Sequence, residues 1–167
     1  YNEIVVGVIG HLYSKNSQRG IFKTKNGGKT WEKTLYINDD TGVIDLDIDP
    51  GNFNIQFATS WQRDRSPWNF NGNGDKSAIY KSNDAGDSWN LISTKEGGFP
   101  TGKGVGRIGV SVFDKTTIYA IVDNQSRRPK TKIEEKKGID KNEFENMSSI
   151  DFNKLNDLAL NKFLNKN

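Results

Sequence analysis

Apolar and polar residues alternate with a period of two in short runs over the first three quarters of the chain, and each run stops at Gly, Asn, Asp or Pro. Val43-Ile-Asp-Leu-Asp-Ile48 and Arg107-Ile-Gly-Val-Ser-Val112 show the pattern. Such alternation, rich in β-branched and aromatic residues, is the mark of half-buried strands. It predicts strands near 3–9, 19–24, 31–36, 43–48, 54–61, 77–82, 88–93, 107–113 and 117–123. In Asp49-Pro-Gly-Asn52, Pro50 supplies a fixed φ and Gly51 a positive one, so 43–61 is predicted as a hairpin. Beyond 123 the pattern changes. Residues 124–141 are rich in charge and read as an exposed loop. Ser148-Ser-Ile-Asp151 then has the form of a capping box, and Phe152, Leu155, Leu158, Ala159 and Phe163 follow at helical spacing. That predicts one helix, packed either over part of the sheets or against segments that lie outside this chain.

The strands recur as a unit. Gly20-Ile-Phe-Lys-Thr-Lys-Asn-Gly-Gly-Lys-Thr-Trp31 aligns with Ala78-Ile-Tyr-Lys-Ser-Asn-Asp-Ala-Gly-Asp-Ser-Trp89 at a constant offset of 58 residues. A strand pair follows each: 43–48 with 55–59, and 107–112 with 118–122. The repeat is therefore four short strands long.

The two segments ending in Trp resemble the Asp-box, or bacterial neuraminidase repeat: Ser or Thr, any residue, Asp, any residue, Gly, any residue, Thr, Trp. Ser82, Asp84, Gly86, Ser88 and Trp89 match it with Ser in place of Thr. Thr24, Asn26, Gly28, Thr30 and Trp31 match it with Asn in place of Asp. The local chemistry is that of a turn. Asp or Asn accepts backbone N–H bonds, Gly takes a φ its neighbours avoid, and Trp packs under the hairpin. The resemblance implies an all-β fold, a partial β-propeller in which each box joins the third and fourth strands of a blade. On that map 1–123 is propeller: 1–36 ends one blade, 43–93 is a complete four-stranded blade, and 107–123 starts the next. Residues 124–167 are a charged loop and C-terminal helical arm. Propellers close with four to eight blades, so the remaining blades of a parent chain are the first expected partner.

Gly10-His-Leu-Tyr13, Asp39-Asp-Thr-Gly-Val-Ile-Asp-Leu46, Arg65-Ser-Pro-Trp-Asn-Phe70 and Gly106-Arg-Ile-Gly109 extend the likeness over residues 3–123. Together they are similar to the sortilin-like group of bacterial secreted proteins, often labelled glycosyl hydrolases. The resemblance implies a secreted, periplasmic or cell-surface location. Tyr1 opens directly onto a strand-like run and Asn167 follows a helical pattern, so the expectation is a piece of a longer chain whose signal peptide lies upstream.

Composition narrows the function classes. The chain of 167 residues has 24 Lys and Arg against 21 Asp and Glu, too small an excess to favour nucleic acid. Cys is absent, which excludes disulfides, thiolate metal sites and cysteine nucleophiles. No apolar run reaches the roughly 18 residues needed to span a bilayer.

Gly104-x-Gly106-x-x-Gly109 has the letters of a dinucleotide fingerprint but leads into a strand where that loop must open a helix. Asp45-x-Asp47-x-Asp49 has the opening spacing of a calcium loop, yet Pro50 stands where Gly is needed and Gln56 where Glu is. The three carboxylates share one polar strand face instead. Asn71-Gly-Asn-Gly-Asp75 is a further calcium contributor to consider, against a plain turn. No cofactor and no protein metal site are expected. His11, the single histidine, has no nucleophile signature near it and reads as a packed or hydrogen-bonded imidazole.

The functional cluster lies between the second and third strands of the complete blade. Trp61, Arg63, Arg65 and Trp68 crowd a loop over 61–76, and with Arg107 they are the candidate ligand-binding residues. Trp and Arg suit sugar stacking and carboxylate binding. Against this stands the reading that Trp68 and Phe70 merely anchor the loop. Two functions follow from the resemblance. One is an extracellular binding or scaffold propeller for protein or glycan. The other is part of a sialidase-like or xyloglucanase-like glycoside hydrolase, with Asp45 or Asp64 as candidate acidic residue of a cleft.

Overall fold

The computed structural model describes residues 2–126 and 139–165. Contacts divide the chain into two compact units, Tyr1–Ser126 and Arg127–Asn167. In the first unit β1 (Ile4–Val8), β2 (Gly20–Thr24) and β3 (Glu32–Leu35) form a three-stranded sheet in that order. β4 (Thr41–Ile48) and β5 (Gln56–Gln62) follow, and β6 (Asp64–Ser66) pairs with β7 (Asn69–Asn71) in a small hairpin. β8 (Ile79–Ser82) and β9 (Asn90–Leu91) complete a four-stranded sheet ordered β4-β5-β8-β9. β10 (Val105–Val112) and β11 (Ile118–Asn124) form a two-stranded sheet. All these pairings are antiparallel.

The sheets stack face to face, and alternation decides what each face buries. Ile21, Val43 and Ala58 form one core between the first and second sheets, with Val5, Leu35, Leu46 and Trp89 against it. Ile79, Val105 and Ile108 form another between the second and third, joined by Phe99, Ile118 and Val122. β5 therefore has sheet on both faces, and Gln56 to Ser60 are all buried. Close approach between sheets needs small residues: a Cβ on Gly42 would come within 2.6 Å of the Ile9 backbone, and one on Gly7 within 2.7 Å of Val43. Polar groups cross the second seam too. Asp45 Oδ2 accepts from Val110 N at 3.0 Å, Asp47 Oδ2 from Val112 N at 2.8 Å, and Thr59 Oγ1 donates to Ile108 O at 2.8 Å.

Several local expectations are corrected. The hairpin spanning 43–61 forms, but Gly51 takes no positive φ. Asp49 closes the turn instead, its carboxylate accepting from Gly51 N and its carbonyl from Asn52 N. The strand expected over 88–93 shrinks to Asn90–Leu91, because the Ser93 hydroxyl takes over as acceptor for Ile79 N at 2.8 Å. The stretch expected as an open loop contains the β6–β7 hairpin.

In the second unit the single helix expected from Ser148 onward is two, α2 (Ser149–Phe152) and α3 (Asp157–Leu164), and an unexpected α1 (Lys141–Glu145) precedes them. Ser148 does cap α2, its hydroxyl accepting from Asp151 N. Asn156 then caps a fresh helix, accepting from Ala159 N at 2.8 Å, and Asp140 with Glu143 forms a full capping box on α1. The breaks let Phe163 stack on Phe144 at 4.4 Å between centroids, with Phe152 edge-on at 5.9 Å. Of the charged loop expected over 124–141, positions 127–138 lie outside the described residues. Among the described residues no helix is long and apolar enough to cross a membrane.

Candidate ligand-binding surface

Thr24 Oγ1 accepts from Gly28 N at 2.9 Å, and Asn26 Oδ1 accepts from Thr30 N at 2.9 Å. Ser82 Oγ accepts from Gly86 N at 2.8 Å, and Asp84 Oδ1 accepts from Ser88 N at 2.9 Å. The turns are therefore built alike. Each bends through two successive positive φ values, Gly27-Gly28 in the first and Ala85-Gly86 in the second. Each is also pinned to the start of a strand, by Gly27 N on Asn2 O and Ala85 N on Asn54 O. Their tryptophans differ. Trp89 packs on the first core and donates to Gly86 O and to Thr34 Oγ1 of the first sheet, whereas Trp31 is 44% exposed. Each ring lies against the glycine of its own turn, Trp31 3.7 Å and Trp89 3.4 Å from where a Cβ on Gly28 or Gly86 would sit, but among the described residues no further sheet covers Trp31.

The Ser88 hydroxyl and backbone amide, with Ser82, hold the Asp84 carboxyl down at about 2. A depressed carboxylate stabilises the fold above its unfolded value, near 3.8, and that contribution is lost as pH falls through about 2. Asp84→Asn removes the titration while keeping the turn, as Asn26 shows: its Oδ1 accepts from Thr30 N and its Nδ2 donates to Thr30 Oγ1. Melting temperatures recorded from pH 5 to pH 2 should therefore fall less steeply for the variant than for the wild type. Parallel curves would refute this account of the box.

The candidate surface lies at the far end of β5. Trp61 Nε1 donates to Gly72 O at 2.7 Å, and the Phe70 ring meets Trp61 edge-on at 6.1 Å. Arg65 lies over both Phe70 and Tyr13, at 5.4 and 5.8 Å from the ring centroids. Arg63 stands over Trp61 at 5.6 Å and donates from Nη2 to His11 O. The structure thus brings Trp61, Arg63 and Arg65 together. Trp68, at the turn between β6 and β7, is 85% exposed, so it anchors nothing. Phe70 is the residue that packs. Arg107 is exposed on β10 and has no hydrogen bond or ring contact with this group.

Beneath this surface sits a residue that periodicity gave no reason to select. Arg19 is 2% exposed and Arg63 6%, yet among the described residues neither has a carboxylate within ion-pair distance. Arg19 donates instead to the carbonyls of Asp40, His11 and Ser14. The Nε of each guanidinium is buried without a partner. Burial pushes both arginines below their ordinary value. For Arg63 the positive charges of Arg19 and Arg65 push the same way, while Asp40, Asp39 and Asp64 oppose the shift at Arg19. The result is a focus of under-compensated positive charge beneath exposed aromatics, fit to hold an anionic or hydrogen-bonding group.

The acidic candidates do not converge there as a pair. Asp45 has both carboxylate oxygens engaged, Oδ1 by Leu46 N and Oδ2 by Val110 N, at the seam between sheets. Asp64 is exposed on β6. His11 is exposed, with Nδ1 3.2 Å from Ser14 Oγ, and its carbonyl is the shared acceptor of Arg19 and Arg63. Gly106 and Gly109 lie within β10, a strand. Around Asn71–Asp75 a cavity of about 470 Å³ is lined by Gln62, Asn73, Asp75 and Lys103. Among the described residues no group of three or more His, Asp or Glu side chains is placed to hold a metal ion.

Comparison with protein-family models, with curated proteins and with solved structures yields no match to this chain.

Proposed function

We propose that this chain is part of an Asp-box β-propeller serving as an extracellular binding or scaffold module, with the sheet β4-β5-β8-β9 as one blade. The observation that carries the reading is the repetition of one turn. Two octets 58 residues apart have the same hydrogen-bond pattern at the same place, between the last two strands of adjacent stacked sheets. On this reading β1-β2-β3 are the last three strands of the preceding blade and β10-β11 the first two of the next. The unpaired edges of β1 and β11, the exposed Trp31 and the 80% exposed Ile121 on β11 are then the surfaces that neighbouring strands of a parent chain cover.

The ligand, protein or glycan, is read by Trp61, Arg65 and Trp68, with the buried Arg63 stacked against Trp61. Arg63 is held by backbone contacts and the aromatic rings are presented by a short hairpin, so the surface is largely preformed. Asp45 is occupied in packing the sheets, which favours recognition over the hydrolase alternative. The test is a glycan panel including xyloglucan and sialosides, offered to the parent protein with binding and hydrolysis recorded together. Binding without turnover is expected. Turnover sinks the proposal and turns attention to opposed carboxylates on other blades.

A further inference from the structure

A second cavity, of about 760 Å³, opens between the two box turns, away from the arginines. Its volume lies within the range of small-molecule sites. The charged groups lining it are matched to one another. Lys23, with a side chain 2% exposed, pairs with Glu3 at 3.2 Å and Asp87 at 3.0 Å, and Lys25 pairs with Asp87 at 2.9 Å. These lysines draw the Asp87 carboxyl below its usual value. Asp84 accepts three hydrogen bonds from Ser82 and Ser88. What remains is neutral: the side-chain amides of Asn2, Asn54 and Asn83 line the cavity with no hydrogen bond to the described chain, beside the half-exposed ring of Phe53.

From this arrangement we infer that the cleft between the box turns binds a neutral pyranose unit of a carbohydrate. Each amide offers two N–H donors and a carbonyl acceptor, which matches the paired donor and acceptor character of adjacent sugar hydroxyls. Phe53 offers an apolar face for the C–H side of the ring. A charged ligand is disfavoured, because it would have to compete with ion pairs already made around Lys23. The inference stands on the cavity and its lining alone, independently of the propeller reading and of the arginine surface.

The test is saturation-transfer NMR on the full chain with the methyl glycosides of glucose, galactose, mannose and N-acetylglucosamine, and with methyl glucuronide as charged control. At least one neutral glycoside should show transfer, with a Kd on the order of 1–10 mM, and the glucuronide at least fivefold less. Phe53→Ala should cut the signal fivefold or more, and Phe53→Trp should retain it. Asn83→Ala removes an amide that makes no intrachain bond, so it should weaken transfer even if Phe53→Ala proves unstable. The inference is overturned by no transfer from any neutral glycoside, by equal transfer from the glucuronide, or by transfer that survives Asn83→Ala unchanged. Transfer lost in Arg65→Ala but kept in Phe53→Ala would also overturn it, placing the sugar on the arginine surface and leaving the proposed function intact.

Discussion

Replacing Gly20 by alanine is expected to cost at least about 3 kcal/mol of stability, or to prevent folding of the first sheet altogether. Gly20 opens β2 with φ +126°, where a side chain is strained, and a Cβ there would lie 2.0 Å from the Leu35 carbonyl oxygen. The obstacle is backbone, so it cannot rotate aside. Relief would require β3 to move off β2 at the point where their register already shifts, between Ile21 and Phe22. Gly98 is the control. Its φ is +78° with nothing within 4 Å of an added Cβ, so Gly98→Ala should cost only the conformational term, about 1 kcal/mol. Urea unfolding of the two variants decides the matter, and equal midpoints would refute the close-packing account.

Removing the two carboxylates that join the second and third sheets is the other change of large effect. Asp45→Ala with Asp47→Ala leaves Val110 N and Val112 N without acceptors in a partly buried seam. Each lost charge-assisted bond is worth about 1–3 kcal/mol, so the double variant should lose about 2–6 kcal/mol. It should do so by loosening β10 and β11, whose amides should exchange faster. In the corresponding pair of Asn variants each side chain keeps one carbonyl oxygen where the carboxylate used two, since Oδ1 of each Asp also accepts from the next residue. An intermediate loss follows. A double Ala variant as stable as the wild type would show that the crossing bonds merely replace water.

These two variants also mark where sequence reading stops. Runs of β-branched and aromatic residues bounded by turn residues placed the first three strands of the four-stranded sheet within a few residues, even β5, which is buried on both faces from Gln56 to Ser60. The octets were legible for a similar reason: Thr24 with Asn26, and Ser82 with Asp84, bond to backbone only two to four residues away. Asp45 and Asp47 were legible as a polar strand face but not as a joint between sheets, because their partners are 65 residues distant.

The candidate surface divides in the same way. Trp61, Arg63 and Arg65 stand out by crowding, but Arg19 does not: it lies between Gln18 and Gly20 with no periodic cue, and enters only because the turn through His11 folds back over it. Trp68 and Phe70 look alike in sequence, yet the β6–β7 hairpin turns one to solvent and the other onto Trp61. The break between α2 and α3 is another such case. Helical spacing from Phe152 to Phe163 is compatible with one helix, but the Asn156 cap restarts it and the stacking of Phe163 on Phe144 goes with the broken form.

By itself, then, the sequence determined the mostly β character of the first unit, its strand order along the chain and its two box turns, since all of these arise from bonds and faces within a few residues. The tertiary structure alone decided which faces meet, which carboxylates are engaged in packing, and which arginines are buried without a counterion, because those outcomes depend on groups that chain connectivity keeps far apart and only stacking brings together.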